Sequence, residues 1–436
     1  MRSKVLLATS ALFAASLMGC GGDENGQPPT PPAKSNEIPT SITSDLTLTA
    51  DQDWILKGIV HVRAGAKLTI EPGTTIKGDK ATLGTLVIDP GARIHAEGTK
   101  DEPIVFTSRS EPGDRAAGDW GGVILLGKAP INVPGGKANV EGIEATAETE
   151  YGGTDPADNS GVLKYVRIEF GGILLSTDNE INGLTFAGVG SGTTVDYVQV
   201  RYTLDDCFEF FGGTVNAKHL VCTYNQDDGI DWDLGYTGNL QFVVVQQDPA
   251  AVDDTNGFEG DNDAMGMTNA PLSEPTIYNA TLIGKNVDVD KQQYAMLLRR
   301  ATKANLYNIV ATGFEAGVDV RDAPTSVSLE ASIFHGNLAQ NIAYVETPDG
   351  MGSEKDDDMG FDEVKWFLDA GNAETDPMLV APYDRQAPDF RPKATLTTGA
   401  ATPPSDGFFD TKASYVGAFS QDDTWLDGAW ISFTPN

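Results

Sequence analysis

Acidic residues recur at a near-constant spacing through the middle of the chain. Asp205 and Asp206 precede Glu209; Asp227 and Asp228 precede Asp231, 22 residues on; Glu259 follows after a further 28. Two positions beyond each stand Phe211, Asp233 and Asp261, with Asp263 close by. Carboxylates held about 5 Å apart repel, and they stay ionised only with a cation between them or an arginine alongside. One reading is therefore a hard-cation site, Ca2+ first, because that ion accepts six to eight oxygen ligands in loose geometry. Its candidate ligands are Asp205, Asp206, Glu209, Asp227, Asp228, Asp231, Asp233, Glu259, Asp261 and Asp263. The other reading is a solvated acidic face, partly neutralised by Arg299, Arg300 and Arg321 at the next repeats. Both stay open on the residues alone. No EF-hand spacing is present, so a site of this kind has to be assembled from neighbouring repeats. Asp356, Asp357 and Asp358 lie in a Gly-flanked loop and read as solvated.

The elements that must position these acids show in the repeat. VQVRY at 198–202 is matched by LVCTY at 220–224 and FVVVQ at 242–246. The residues just before the acids, Phe208, Ile230, Phe258, Met296 and Val318, are apolar throughout and belong inside. Nearer the start, LTIEPG at 68–73 and LVIDPG at 86–91 stand 18 residues apart. Short strands broken by glycine, repeating about every 22 residues, predict an all-β chain wound as a right-handed parallel β-helix, in which equivalent residues of successive windings stack. A dozen windings at about 4.8 Å each make a rod of about 60 Å. The repeat covers 40–345. Residues 346–436 lose it and read as an irregular C-terminal cap, with a helix over 362–370 and an aromatic end at Trp425 and Trp430.

Upstream, Arg2 and Lys4 precede an apolar run, Val5 to Leu17, too short for a retained membrane span. LMGC at 17–20 resembles the bacterial lipobox. That resemblance implies a signal peptide over 1–19 and a lipidated Cys20, and several acyl chains on one residue give stable attachment. Gly21 then favours the outer membrane, and the polar, Pro-rich stretch to residue 39 reads as a tether holding the body at the cell surface. With 63 acids against 30 bases the formal charge is −33, which repels nucleic acid and anionic lipid and attracts cations. The expected membrane contact is thus the lipid anchor alone. Cys207 and Cys222 are either a disulfide or two buried thiols.

Catalysis is the competing use of the acids. NQDD at 225–228 resembles the paired-aspartate motif of polygalacturonase-type glycosidases, in which carboxylates protonate the leaving oxygen and activate water. The Gly-His-Gly and Arg-Ile-Lys motifs of that family are missing, since His61, His95, His219 and His335 stand in other contexts. A lyase of the pectate-lyase kind would use Ca2+ to neutralise a uronate and a basic side chain to take the proton. Arg299 or Arg321 beside Asp233 and Asp261 fits that outline. The enzyme alternative therefore rests on Asp227, Asp228, Arg299 and Arg321. Tyr202, Tyr224, Trp232 and Tyr236 lie near the acids and are candidate platforms for sugar rings, or simple packing. Neither a zinc pattern nor a serine nucleophile elbow is present.

Much of the chain also resembles a family of bacterial right-handed β-helix lipoproteins, most of them without assigned activity. The likeness lies in GDWGGVILLGKAPIN (118–132), YGGTDPADNSGVLKYVRIEFGG (151–172), EINGLTFAGVGSGTTVDYVQV (180–200) and FGGTVNAKHLV (211–221). It implies the fold and a surface location, and no chemistry. The expectation is a non-catalytic binding, adhesive or structural module that takes Ca2+ and a polysaccharide, with a uronate lyase or glycoside hydrolase as the alternative.

Overall fold

The computed structural model describes residues 36–434, apart from 177–178, 252–253, 266–267, 288–292 and 323–325. The expected signal segment and Cys20 lie outside the described residues. Among those residues no helix is long and apolar enough to cross a membrane.

In the first windings the strands alternate by residue type. Lys67–Ile70 and Arg93–Glu97 turn Leu68, Ile70, Ile94 and Ala96 inward and leave lysine, threonine and arginine outside. One buried face per strand needs a second layer to cover it. Two parallel sheets supply it, one of ten strands and one of fourteen, running side by side along a β-helix. Ser41–Ile42, Ile59–Val62, Thr85–Ile88, Gly122–Leu126, Leu184–Ala187, Phe208–Phe211, Ile230–Asp233, Phe258–Gly260, Tyr294–Leu298 and Ala316–Val320 form the ten-stranded sheet. Ten strands rather than a dozen, at about 4.8 Å between neighbours, make this sheet about 43 Å long. Successive parallel strands joined through a second sheet wind right-handed.

Between the sheets, Phe208 pairs with Ile230, Ile230 with Phe258, Phe258 with Met296 and Met296 with Val318. All five are buried in one continuous core. Each such side chain contributes about 1.5–3 kcal/mol by leaving water. A disulfide joins Cys207 to Cys222 inside this core.

Two repeats read from sequence differ in the structure. Leu68 lies in the fourteen-stranded sheet and Leu86 in the ten-stranded one, so the 18-residue spacing measures the passage between sheets. The winding itself joins Lys67 to Arg93 and Val60 to Leu86. Further on, Leu220 pairs with Val243, not Phe242. That one-residue slip turns Val243 and Val245 into the core and sends Phe242 to the outer face, where it stacks on His219.

The C-terminal region does more than cover an end. Its helix, Glu363–Asp369, is capped by Asp362 and packs Phe367 on Phe334 of the last winding. Residues 379–434 instead run back along the outer face of the fourteen-stranded sheet. Outward amides on successive strands call for this strap, because a buried amide must be hydrogen-bonded. Ala401 N donates to Asn308 Oδ1 (2.8 Å), Asn279 Nδ2 to Tyr415 O (2.7 Å), Asp410 N to Gln241 Oε1 (2.7 Å) and Ser432 N to Gln199 Oε1 (2.8 Å). Trp430 ends fully buried against Tyr165 and Tyr197.

Candidate metal centre

The ten-stranded sheet carries the acids. In register, Glu209 sits beside Asp231 and Asp231 beside Glu259; the column then continues through Leu297 to Asp319. Phe211 pairs with Asp233 one pleat further along. Neighbouring strands are about 4.8 Å apart, so these side chains meet directly. On the inner face of the same strands Gly260 lies over the buried Trp232, whose ring a Cβ would overlap.

A second column turns the corner before each strand. Asp228 N donates to Asp206 Oδ1 (2.9 Å), Asn256 N to Asp228 Oδ1, and Tyr294 N to Asn256 Oδ1 (3.1 Å). Asp206 and Asp228 thus spend one oxygen each on fixing the next winding. Both also fall within a set of three overlapping groups whose ligand atoms lie within 4.8 Å of one another: Asp205, Asp206 and Asp227; Asp206, Glu209 and Asp231; Asp228, Asp231 and Glu259.

Burial is the first cause that pushes Asp206, Glu209, Asp228 and Asp231 well above the ordinary carboxylate range, and neighbouring carboxylates are the second. Asp205 is raised by burial and then by Asp227; Asp233 by burial and then by Asp261. Asp231 Oδ1 and Asp233 Oδ1 are buried oxygens with no hydrogen-bond donor. An oxygen in that condition costs about 1–3 kcal/mol unless a proton or a cation meets it.

Positive charge arrives only at one end of the ladder among the described residues. Arg299 grips Asp261 through two parallel bonds of 3.0 Å and also reaches Glu259; Arg300 pairs with Asp261. Burial works against the charge on Arg299, but Glu259 and Asp261 outweigh it and raise the guanidinium above its ordinary value. Arg321 is bonded to Asp319 (2.8 Å). Asp227, Glu259, Arg299 and Arg321 share one cleft of about 110 Å3, well below the ~300 Å3 at which small-molecule sites begin. A larger cleft, of about 890 Å3, is lined by Arg63, Lys128, Glu148 and Asp155 and by none of the candidate ligands.

Of the ten candidate ligands, seven are brought together: Asp205, Asp206, Glu209, Asp227, Asp228, Asp231 and Glu259. Asp233 adjoins them. Asp261 is committed to the two arginines, and Asp263 accepts from Met265 N and Asn269 Nδ2 within its own loop. The candidate sugar platforms are absorbed by packing. Trp232 and Tyr236 are fully buried, and Tyr202 stacks between Phe170 and Tyr224. Reading the sequence missed Asn182, which donates to Glu209, and Glu141 and Glu180, whose carboxylates raise Asp205. Asn182-Gly183 does echo Asp228-Gly229 and Asn256-Gly257 and was findable. Glu141 comes from an insertion between strands, which no periodicity reports.

Fold and site together define a parallel β-helix with a stacked carboxylate ladder on one sheet. The chain belongs to the pectate-lyase like beta helix domain family, which it matches over residues 40–370. No curated protein and no solved structure matches it.

Proposed function

We propose that this protein is a non-catalytic, lipid-anchored rod of the cell surface that binds Ca2+ along the ladder of Glu209, Asp231 and Glu259. The observation that carries the reading is Asp231 Oδ1, buried and without a donor, in a column where both neighbours are carboxylates. Ca2+ suits an all-oxygen donor set of this kind, and Asp206 and Asp228 each have a second oxygen to offer. Binding in this scheme displaces the protons that the raised carboxyls retain to higher pH than ordinary ones. An acidic glycan would be met through the bound ion, since the nearby aromatics are packed away. The Cys207–Cys222 disulfide agrees with an oxidising compartment outside the cytosol, as the Cys20 lipid anchor requires.

The lyase alternative is less well supported. A base must be able to lose its proton, whereas Arg299 is held charged by two carboxylates. Asp228, half of the candidate paired aspartates, uses an oxygen to anchor Asn256.

Thermal melts of the full chain with chelator and with millimolar Ca2+ test the proposal. Saturation at 100 times Kd stabilises the folded state by about 2.7 kcal/mol, so the midpoint should rise by several degrees. An unmoved midpoint removes the cation, and release of unsaturated uronides from a polysaccharide panel would restore the enzyme.

A further inference from the structure

Beyond Leu297 the acid column resumes at Asp319, and there the C-terminal region closes over it. Asp319, Glu346 and Asp357 bring carboxylate oxygens within 4.8 Å of one another, and Glu346 does the same with Asp358 and Glu363. Of the three acids read as solvated from sequence, Asp356 and Asp357 are half-buried and Asp358 is only 1% exposed; Glu363, on the following helix, is 3% exposed. One oxygen of each of the five carboxylates, Asp319 Oδ1, Glu346 Oε2, Asp357 Oδ1, Asp358 Oδ2 and Glu363 Oε1, is buried with no hydrogen-bond donor. The other oxygen of Asp358 is satisfied by Gly360 N (2.9 Å) and Phe361 N (3.0 Å), which aims the orphaned one inward. Arg321 answers only part of the charge, through Asp319 (2.8 Å) and Asp357 (3.7 Å).

We infer that Asp319, Glu346, Asp357, Asp358 and Glu363 form a second divalent-cation site, a clasp that fastens the C-terminal segment to the last winding. Two carboxylate triads that share Glu346, drawn from three separated stretches of chain, lie where the strand Ala316–Val320 faces the helix Glu363–Asp369. An oxygen-only set of this size suits Ca2+. With no cation, burial first and neighbouring acids next push Glu346 up to about 7 and Glu363 up to about 9. Protons shared between the carboxyls are therefore the competing way to hold the same contact. The clasp is separate from the ladder and stands or falls independently.

Hydrogen exchange of the full chain, read peptide by peptide with chelator and with millimolar Ca2+, decides between them. The clasp predicts that exchange over 346–370 slows about tenfold on adding Ca2+, in the wild type and equally in Asp231→Asn. The double variant Asp358→Asn, Glu363→Gln should lose that response and keep the one at 205–261. If Ca2+ protects 205–261 and leaves 346–370 unchanged, protons hold the contact and the clasp is overturned while the ladder stands. Protection of 346–370 alone has the opposite meaning. The wild-type comparison needs no variant to fold.

Discussion

The first windings and the middle windings bury acids in opposite ways. At the start of the rod each buried acid has a cation to face. Asp89 meets His61 (2.9 Å) and Arg63 (3.0 Å), Asp79 meets Arg109, and Asp119, fully buried, accepts from Lys80 (2.7 Å) and Ser108 (2.6 Å). Burial raises Asp119, but Lys80, Ser108 and the Ala116 amide outweigh it and hold the carboxyl below its ordinary value; Thr82 and Arg109 do the same for Asp79. In the middle windings Glu209, Asp231 and Glu259 face one another, and the ladder is raised. Both regions belong to the same β-helix, although Asp79, Asp89 and Asp119 stand at turns just outside its strands. Acid on acid is therefore not imposed by the β-helix, nor by an excess of acids over bases, since the same chain pairs its acids elsewhere. Partners are withheld along the ladder and again among the C-terminal acids around Asp319, and those are the places at which a bound cation is proposed.

The largest expected effect sharpens the paired side of this contrast. Asp119→Ala leaves Lys80 without its counter-charge and Ser108 and Ala116 without an acceptor, and should cost about 2–4 kcal/mol in chemical denaturation, equally with chelator and with Ca2+. Asp231→Asn should behave differently. In chelator, at a pH high enough to ionise the raised Asp231 carboxyl, removing one charge from a like-charged column should stabilise the fold by about 1 kcal/mol. With Ca2+ present, the same substitution should abolish the rise in midpoint. Should Asp231→Asn instead destabilise the protein under both conditions, the middle acids are ordinary structural groups and the contrast breaks.

How much of this was legible depended on what set each position. The columns through Phe208 and Glu209 could be read because strand residues recur once per winding and alternate in type. Phe242 slipped by one because Phe242, Val243, Val244 and Val245 are apolar at both parities, so nothing in residue type chooses the face. The strap over residues 379–434 left no periodic trace. It is held by bonds such as Gln199 to Ser432, across 233 residues, and its only sign was the set of amides at strand positions 199, 241, 279 and 308. Asp357 and Asp358 looked solvated because local composition says nothing of the distant Asp319 and Glu346 that meet them. The second task of Asp206 and Asp228, fixing the next winding, was hidden for another reason: an acid that accepts a backbone N–H has the same spacing as one that binds a metal.

The smallest effect is a matter of sign, and it tests both regions in one experiment. Asp79 and Asp119 have folded pKa values below their unfolded ones, so the stability they contribute is present above the ordinary Asp value of about 3.9 and is lost as pH falls through the folded value. The deficit of an Asp79→Asn, Asp119→Asn protein relative to wild type should therefore shrink on acidification. Asp231 is raised instead, so in chelator its contribution is intact below the ordinary carboxylate range and lost as pH climbs through the raised value. Below that range an aspartic acid and an asparagine are nearly equivalent, and the advantage of Asp231→Asn should grow as pH rises. Plotted against pH, the stability differences of the two variants from wild type should slope in opposite directions, and slopes of the same sign would mean that the middle acids are paired after all.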